Sequence, residues 1–318
     1  MAISVTTCPD LCARQGTTKR HEVAAFAVWV RLAALVSRVL IGAMVIFALL
    51  ALARVIPVTR RLVSTYMRHL YKTLLKTCRV KVAVDGPRTT FAAPGTPVLV
   101  VANHVSWLDV IVLGSLQSVT MISKAEVEHW PLIGAIAAKL GTIFLDRTSY
   151  DDVARTRVVA GHALRGGALV ATFPEGTTTC GRGLGDFRSA MFQAAADTGT
   201  PVRPVALSFL DRDAKLTTAA SFIGDMSLWD SIRSVLGQRE MTVRVSIRPL
   251  IMPTQVRPIG SRKALRQAAV DSIGEALAPY VDPYAEHRRP STCQARPIVV
   301  PERDDLVAEL ELPSTLIG

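Results

Sequence analysis

The sequence predicts an α/β domain with a central mixed sheet flanked by helices, preceded by an N-terminal two-helix membrane motif. Three observations carry that reading. From residue 80 onward, short β-rich apolar runs alternate with helical patterns, the order expected when helices cover both faces of a sheet. Before residue 80, a long apolar run precedes a strongly amphipathic one. The net charge of +11 also sits wholly in that quarter: residues 1–81 hold 13 Lys/Arg against Asp10 and Glu22, and the remainder is balanced.

Taken in order, residues 1–22 are polar and irregular and read as a loose leader. Residues 23–53 form an apolar helix interrupted by Arg31 and Arg38. The uninterrupted stretch, Val39 to Ala53, has 15 residues, short of the roughly 20 needed to span a bilayer. Extended back to Val23 it is long enough to span or embed, with Arg38 snorkelling and Arg31 near an interface. No small-x-small site closes the run, so a retained helix is expected rather than a cleaved signal peptide. Pro57 ends it.

Over residues 59–78 the apolar positions Leu62, Val63, Tyr66, Met67, Leu70, Tyr71, Leu74, Leu75 and Cys78 follow helical spacing, with Arg60, Arg61, Arg68, Lys72 and Lys76 elsewhere. That composition suits a helix lying in the headgroup region of an anionic bilayer. It equally suits a helix packed on the protein's own core. Strands are expected at residues 80–84, 98–102, 119–122, 142–145, 169–173, 202–209 and 242–247. Helices are expected at 151–164, 189–196 and 261–281, the last capped by Ser261. The division is therefore 1–22 leader, 23–79 membrane-anchoring helices, 80–282 main domain and 283–318 tail, with a short helix at 304–312.

At 318 residues, 49% hydrophobic and mean hydropathy +0.31, the chain is more apolar than an ordinary soluble enzyme, yet not a multi-span transporter. Its basic residues flank and interleave apolar runs, which points to membrane lipid rather than nucleic acid. A solvated charged face is the bland alternative. Cys8, Cys12, Cys78, Cys180 and Cys293 form neither a disulfide framework nor a zinc set, and the six histidines are scattered, so no metal is expected. A reducing compartment, the cytosolic side of a cell membrane, fits that cysteine usage.

The strongest local feature is the apolar strand 98–102 running straight into Asn103-His104, with Asp109 five residues on. On a continuous helix that spacing separates the side chains by about 140°. They meet only where the chain turns, as at a strand-to-helix junction, which also puts His104 where α/β proteins build sites. A carboxylate on the imidazole fixes its tautomer and equips it as a general base for a hydroxyl. Alone, the pair reads equally as a helix cap and a hydrogen-bonded histidine.

Other strand ends add to it. Phe173-Pro-Glu-Gly-Thr177 closes one strand with a rigid turn that exposes backbone N–H groups. Gly141 to Arg147 closes another with a cation, and Val202-Arg-Pro begins a further one. Arg203 there either supplies a charge or faces solvent. Ser106 reads as a cap, Cys180 as an inert small residue, and Lys124 as a surface cation or an anion ligand.

Together these blocks resemble the 1-acylglycerol-3-phosphate (lysophospholipid) acyltransferase family, over roughly residues 80–250. The matching positions are Asn103, His104 and Asp109; Gly141, Phe144 and Arg147; Phe173 to Thr177; and Pro204. Lys124 and the Pro131…Gly134 pair add to the match. The resemblance implies a glycerolphosphate acyltransferase-like fold, with His104 as the catalytic base oriented by Asp109. It places Asn103, Lys124, Phe144, Arg147, Glu175, Gly176 and Thr177 in substrate binding. It implies an acyl-CoA or acyl-carrier-protein donor, no further cofactor, and a lysophospholipid acceptor giving phosphatidic acid. A lyso-ornithine-type aminolipid is the alternative acceptor, and a catalytically silent membrane module the alternative from another class. An esterase would need a G-x-S-x-G elbow, which the sequence lacks. Thr178 and Thr179 stand where many members carry arginine and serine, so no second cation is expected at that turn.

Overall fold

A computed structural model describes residues 23–56, 59–86, 88–146, 148–224 and 226–280, together with the short antiparallel pairing of Ile3–Ser4 with Pro297–Ile298. The rest of the leader and of the tail, including the expected helix at 304–312, lies outside the described residues.

Two helices open the fold, α1 (Ala25–Leu52) and α2 (Thr59–Thr77). The domain then runs β1 (Val80–Asp85), β2 (Val98–Ala102), α3 (Leu108–Leu116), β3 (Thr120–Lys124), α4 (Ile133–Lys139), β4 (Ile143–Leu145), α5 (Tyr150–Arg165), β5 (Leu169–Thr172), α6 (Ala190–Thr198), β6 (Val202–Leu210), α7 (Leu228–Gly237), β7 (Met241–Ile247) and α8 (Arg262–Leu277). The seven strands form one sheet in the order β1-β7-β6-β2-β5-β3-β4. Only the β6–β7 pair is antiparallel, so the sheet is mixed, as the sequence predicts.

β2 and β6 are central and buried at every position, which is why they read as unbroken apolar runs rather than alternating ones. Side chains still alternate between faces. Val98, Val100 and Ala102 enter the core beneath α2, α3 and α7, and Leu99 and Val101 enter the core beneath α5, α6 and α8. Ser261 caps α8 as expected, its hydroxyl accepting from Ala264 N–H at 3.3 Å.

α2 settles one alternative. Its apolar stripe packs on the protein's own core: Val63, Met67, Leu74 and Leu75 are all buried. Arg61, Arg68, Lys72 and Lys76 remain exposed. The uncovered apolar face belongs to α1, where Phe26, Trp29, Val30, Leu40, Ile41 and Met44 are each more than half exposed. α1 is long and apolar enough to cross a membrane, an 18-residue stretch of it having a mean hydropathy of 2.5.

Arg31 departs from its expected place at an interface. Its guanidinium donates to the carbonyls of Leu236 (2.8 Å) and Gln238 (2.6 Å), at the C-terminus of α7. Those carbonyls lack helical partners, and a cation there also opposes the helix dipole. Arg31→Ala is expected to lower stability by about 1–3 kcal/mol, read as a lower thermal midpoint. An unchanged midpoint would show the clamp to be idle. Arg38 does turn back on its own helix, donating to Ala34 O at 3.1 Å.

Arg203 neither supplies charge to a site nor faces solvent. It is buried, and donates through Nε to Phe91 O (2.8 Å) and through a terminal nitrogen to Arg248 O (2.7 Å). A buried guanidinium is tolerated here because backbone carbonyls replace part of its hydration.

Candidate active site

β2 and β5 are neighbouring parallel strands, so the loops leaving their C-terminal ends lie side by side. One carries His104 and the other Phe173 to Thr177. The chain turns between His104 and α3, and Asp109 falls in the first turn of that helix. The turn brings His104 Nδ1 to 2.8 Å from Asp109 Oδ2. The same oxygen accepts from Val105 N–H (2.7 Å) and Ser106 N–H (2.8 Å). Asp109 thus fixes both the loop's backbone and the imidazole.

An ionised carboxylate oxygen can only accept, so Nδ1 donates to Asp109, and in the neutral ring Nε2 is then the nitrogen with the lone pair. The imidazole stacks on Phe173, with centroids 4.1 Å apart and planes at 11°. Asp109 is fully buried while the His104 side chain keeps 18% exposure, enough for a substrate oxygen to reach it.

Glu175 holds the two loops together. Its Oε1 accepts from His104 N–H (2.9 Å) and its Oε2 from Gly185 N–H (3.2 Å). A Cβ at position 185 would come within 2.6 Å of Oε2, so this contact requires glycine. Gly176, at φ +75°, makes the tight turn that points the carboxylate inward. Thr179 adds a further tie, its N–H donating to His104 O at 2.8 Å.

Burial pushes the Glu175 carboxyl up to about 8; the two N–H donors oppose the rise and the Asp109 charge adds to it. Folded Glu175 therefore keeps its proton across a window where the unfolded chain has released it. In that window the folded state binds the extra proton, so stability falls as pH rises and levels off above about 8. Glu175→Gln removes this titration. The wild-type melting temperature should fall more steeply than the variant's between about pH 5 and 8. Parallel slopes would refute the assignment.

The remaining predicted residues separate. Asn103 is not available to a substrate: its amide is fully buried, donating to Leu207 O (3.0 Å) and accepting from Leu207 N–H (2.8 Å), where it continues the β2–β6 pairing. Glu175 likewise spends both oxygens on backbone rather than on an acceptor head. Thr177 is exposed at the tip of its turn beside half-buried Gly176. Lys124 and Phe144 lie on the outer strands β3 and β4, two and three strands from β2. Lys124 pairs with Glu126 at 2.5 Å, and Phe144 is half-buried opposite Ser123. Arg147 lies outside the described residues.

Two flanking segments join the His104 loop. Phe222 N–H donates to Val105 O (3.0 Å), and the Thr178 hydroxyl bonds Phe222 O. Trp107 Nε1 donates to Ser231 of α7 at 3.1 Å. The run 222–229 is conspicuous in the sequence for its aromatic and apolar content, but spacing alone does not bring it to Val105.

A histidine–carboxylate pair at a strand end of a mixed α/β sheet is an arrangement chemically able to act as a general base. The family model described as Acyltransferase matches residues 81–208, a span that includes both strand-end loops. The lyso-ornithine lipid O-acyltransferase of Pseudomonas aeruginosa is 37% identical over 216 residues, covering 68% of this chain and 78% of that one. The 1-acyl-sn-glycerol-3-phosphate acyltransferase of Neisseria meningitidis is 33% identical over 192 residues, covering 60% and 74%. The crystal structure of the 1-acyl-sn-glycerophosphate acyltransferase of Thermotoga maritima shares the fold, with TM-score 0.61 at 21% identity over 80% of this chain and 93% of that one. The chain belongs to this acyltransferase family, and it is a lipid-modifying acyltransferase.

Proposed function

We propose that the chain moves a fatty acyl group from a thioester, acyl-CoA or acyl-carrier protein, to the free hydroxyl of 1-acylglycerol-3-phosphate, giving phosphatidic acid. The observation that carries the mechanism is the 2.8 Å His104–Asp109 contact, which engages Nδ1 and leaves Nε2 as the ring nitrogen to meet the hydroxyl. Nε2 takes the proton of the acceptor hydroxyl as the oxygen attacks the thioester carbonyl. The C–S bond then breaks, and the departing sulfur receives the proton from the imidazolium as a thiol. Asp109 stabilises that imidazolium, and Glu175, neutral near pH 7, holds the loop without adding a second negative charge.

A second acceptor, a lyso-ornithine-type aminolipid, is favoured by two observations. The 37%-identical relative carries that activity in its name. The Thr178 and Thr179 hydroxyls of the turn after Glu175 are also committed to the carbonyls of Phe222 and His104 rather than to a phosphate. An acceptor panel of lysophosphatidic acid, other lysophospholipids and lyso-ornithine lipid, run with both donors, tests these readings. Turnover confined to lyso-ornithine lipid would overturn the first. Turnover of none would overturn both.

The same proposal places α1 in the plane of the cytosolic membrane surface, with the site facing the cytosol. The start of α1 is tied to α7 through Val23 N–H to Gly237 O (2.9 Å), the Arg31 clamp and the Trp29–Trp229 ring contact (6.1 Å). Its later half, at Ile46, packs with Val63 and Met67 of α2, Ile136 of α4 and Leu140 just past the end of α4. A helix of about 42 Å held along its length by one domain cannot also carry one end across a bilayer. Its exposed tryptophan and apolar residues suit shallow insertion instead.

A further inference from the structure

We propose that a groove at the β1 edge of the sheet, apart from the His104 loop, binds the phosphate-bearing headgroup of one anionic phospholipid. The groove, about 550 Å³, lies between the last turns of α2, strand β1 and the end of α3. β1 stands three strands from β2, about 14 Å across the sheet.

Its floor is apolar, made by Leu75, Val82 and Val84. Its rim carries Lys72, Lys76, Arg79 and Lys81 against one carboxylate, Glu240. Glu240 is taken by Lys81 at 2.8 Å, and among the described residues Lys72, Lys76 and Arg79 have no ion-pair partner. Lys72 and Lys76 stand four apart on one face of α2, and Arg79 lines the same groove from just past its end. Arg79 sits at φ +56°, just past the end of α2, a position that glycine fills without strain. A long cation kept there at the cost of strain marks a site rather than a turn.

A cationic rim over an apolar floor matches a molecule with an anionic head and a hydrocarbon body. Its setting supplies one. α2 lies directly against α1, where a Cβ on Gly42 would come within 2.6 Å of Leu70. The groove cations therefore sit on, or just past, the helix that packs on α1, beside lipid headgroups when the apolar face of α1 is embedded. The proposal rests on that membrane reading of α1.

The test uses the full chain incubated with vesicles of phosphatidylcholine containing a minority of phosphatidylglycerol, extracted in neutral detergent, with retained lipid counted by native mass spectrometry. Wild type should retain one phosphatidylglycerol. Lys76→Glu with Arg79→Glu should retain about 30-fold less, and Arg61→Glu with Arg68→Glu, off the groove, should retain it. Val84→Trp, which fills the floor without changing charge, should also lose the lipid, so a folding defect in the first variant does not decide the outcome. Equal retention in wild type and both groove variants overturns the assignment. Binding of acyl-carrier protein that the groove variants lose, with lipid retention unchanged, gives the groove to an acidic protein and overturns it too. Failure of wild type to bind pure phosphatidylcholine vesicles would count against the α1 reading alone.

Discussion

His104→Ala is expected to lower acyl transfer by about 10²–10⁴-fold while leaving vesicle binding unchanged. The ring is the only group of the Asp109-centred cluster that is both basic and open to substrate, since Asp109 is fully buried and Glu175 nearly so. Its removal takes away the proton acceptor for the attacking hydroxyl but leaves the Asp109 bonds to Val105 and Ser106, which hold the loop without it. Stability should fall by about 1–3 kcal/mol, from the lost stacking on Phe173 and the lost hydrogen bond to Asp109. Membrane contact should persist because the exposed faces of α1 and α2 are untouched. Turnover by the purified variant near the wild-type rate would remove His104 from the base role.

Asp109→Asn is expected to cut kcat by about 10³–10⁴-fold with little change in KM. The amide keeps the shape of the carboxylate, so one oxygen can still accept from Val105 or Ser106. It is uncharged and cannot stabilise an imidazolium as a carboxylate does. Asp109→Ala should lose the same activity and also melt earlier, because it removes the backbone bonds as well. Comparing the two separates orientation of the ring from support of the loop. A KM rise with kcat preserved in Asp109→Asn would instead make the carboxylate a binding group.

Strands β2, β5 and β6 were legible because buried parallel strands leave unbroken apolar runs, and the His104–Asp109 meeting followed from geometry at a strand-to-helix turn. α3 was not read as a helix, since Leu108, Val112 and Leu113 are buried with Gly114 and Ser115 and leave no polar face to mark a period. Gly114 lies against Tyr71 of α2, a contact no local pattern announces. Asn103 and Glu175 were placed in the site by resemblance, but their partners, Leu207 and the His104 and Gly185 amides, lie far along the chain. The same distance hid the roles of Arg31 and Arg203, whose partners are backbone carbonyls and leave no complementary residue in the sequence. The stripe of α2 was ambiguous for a different reason: lipid and a protein core select the same side chains, and only packing separates them.

The central claim is that the acyl group passes directly from thioester to lysolipid, with His104 moving the proton and no residue holding the chain. Intact-mass measurement of the wild-type protein, acid-quenched within one turnover of mixing with an acyl thioester and lysophosphatidic acid, tests it most directly. Unmodified protein and acyl label found only in donor and phospholipid is the predicted result. A protein heavier by one acyl group, at Ser106, Cys180 or elsewhere, that decays as product appears would contradict it.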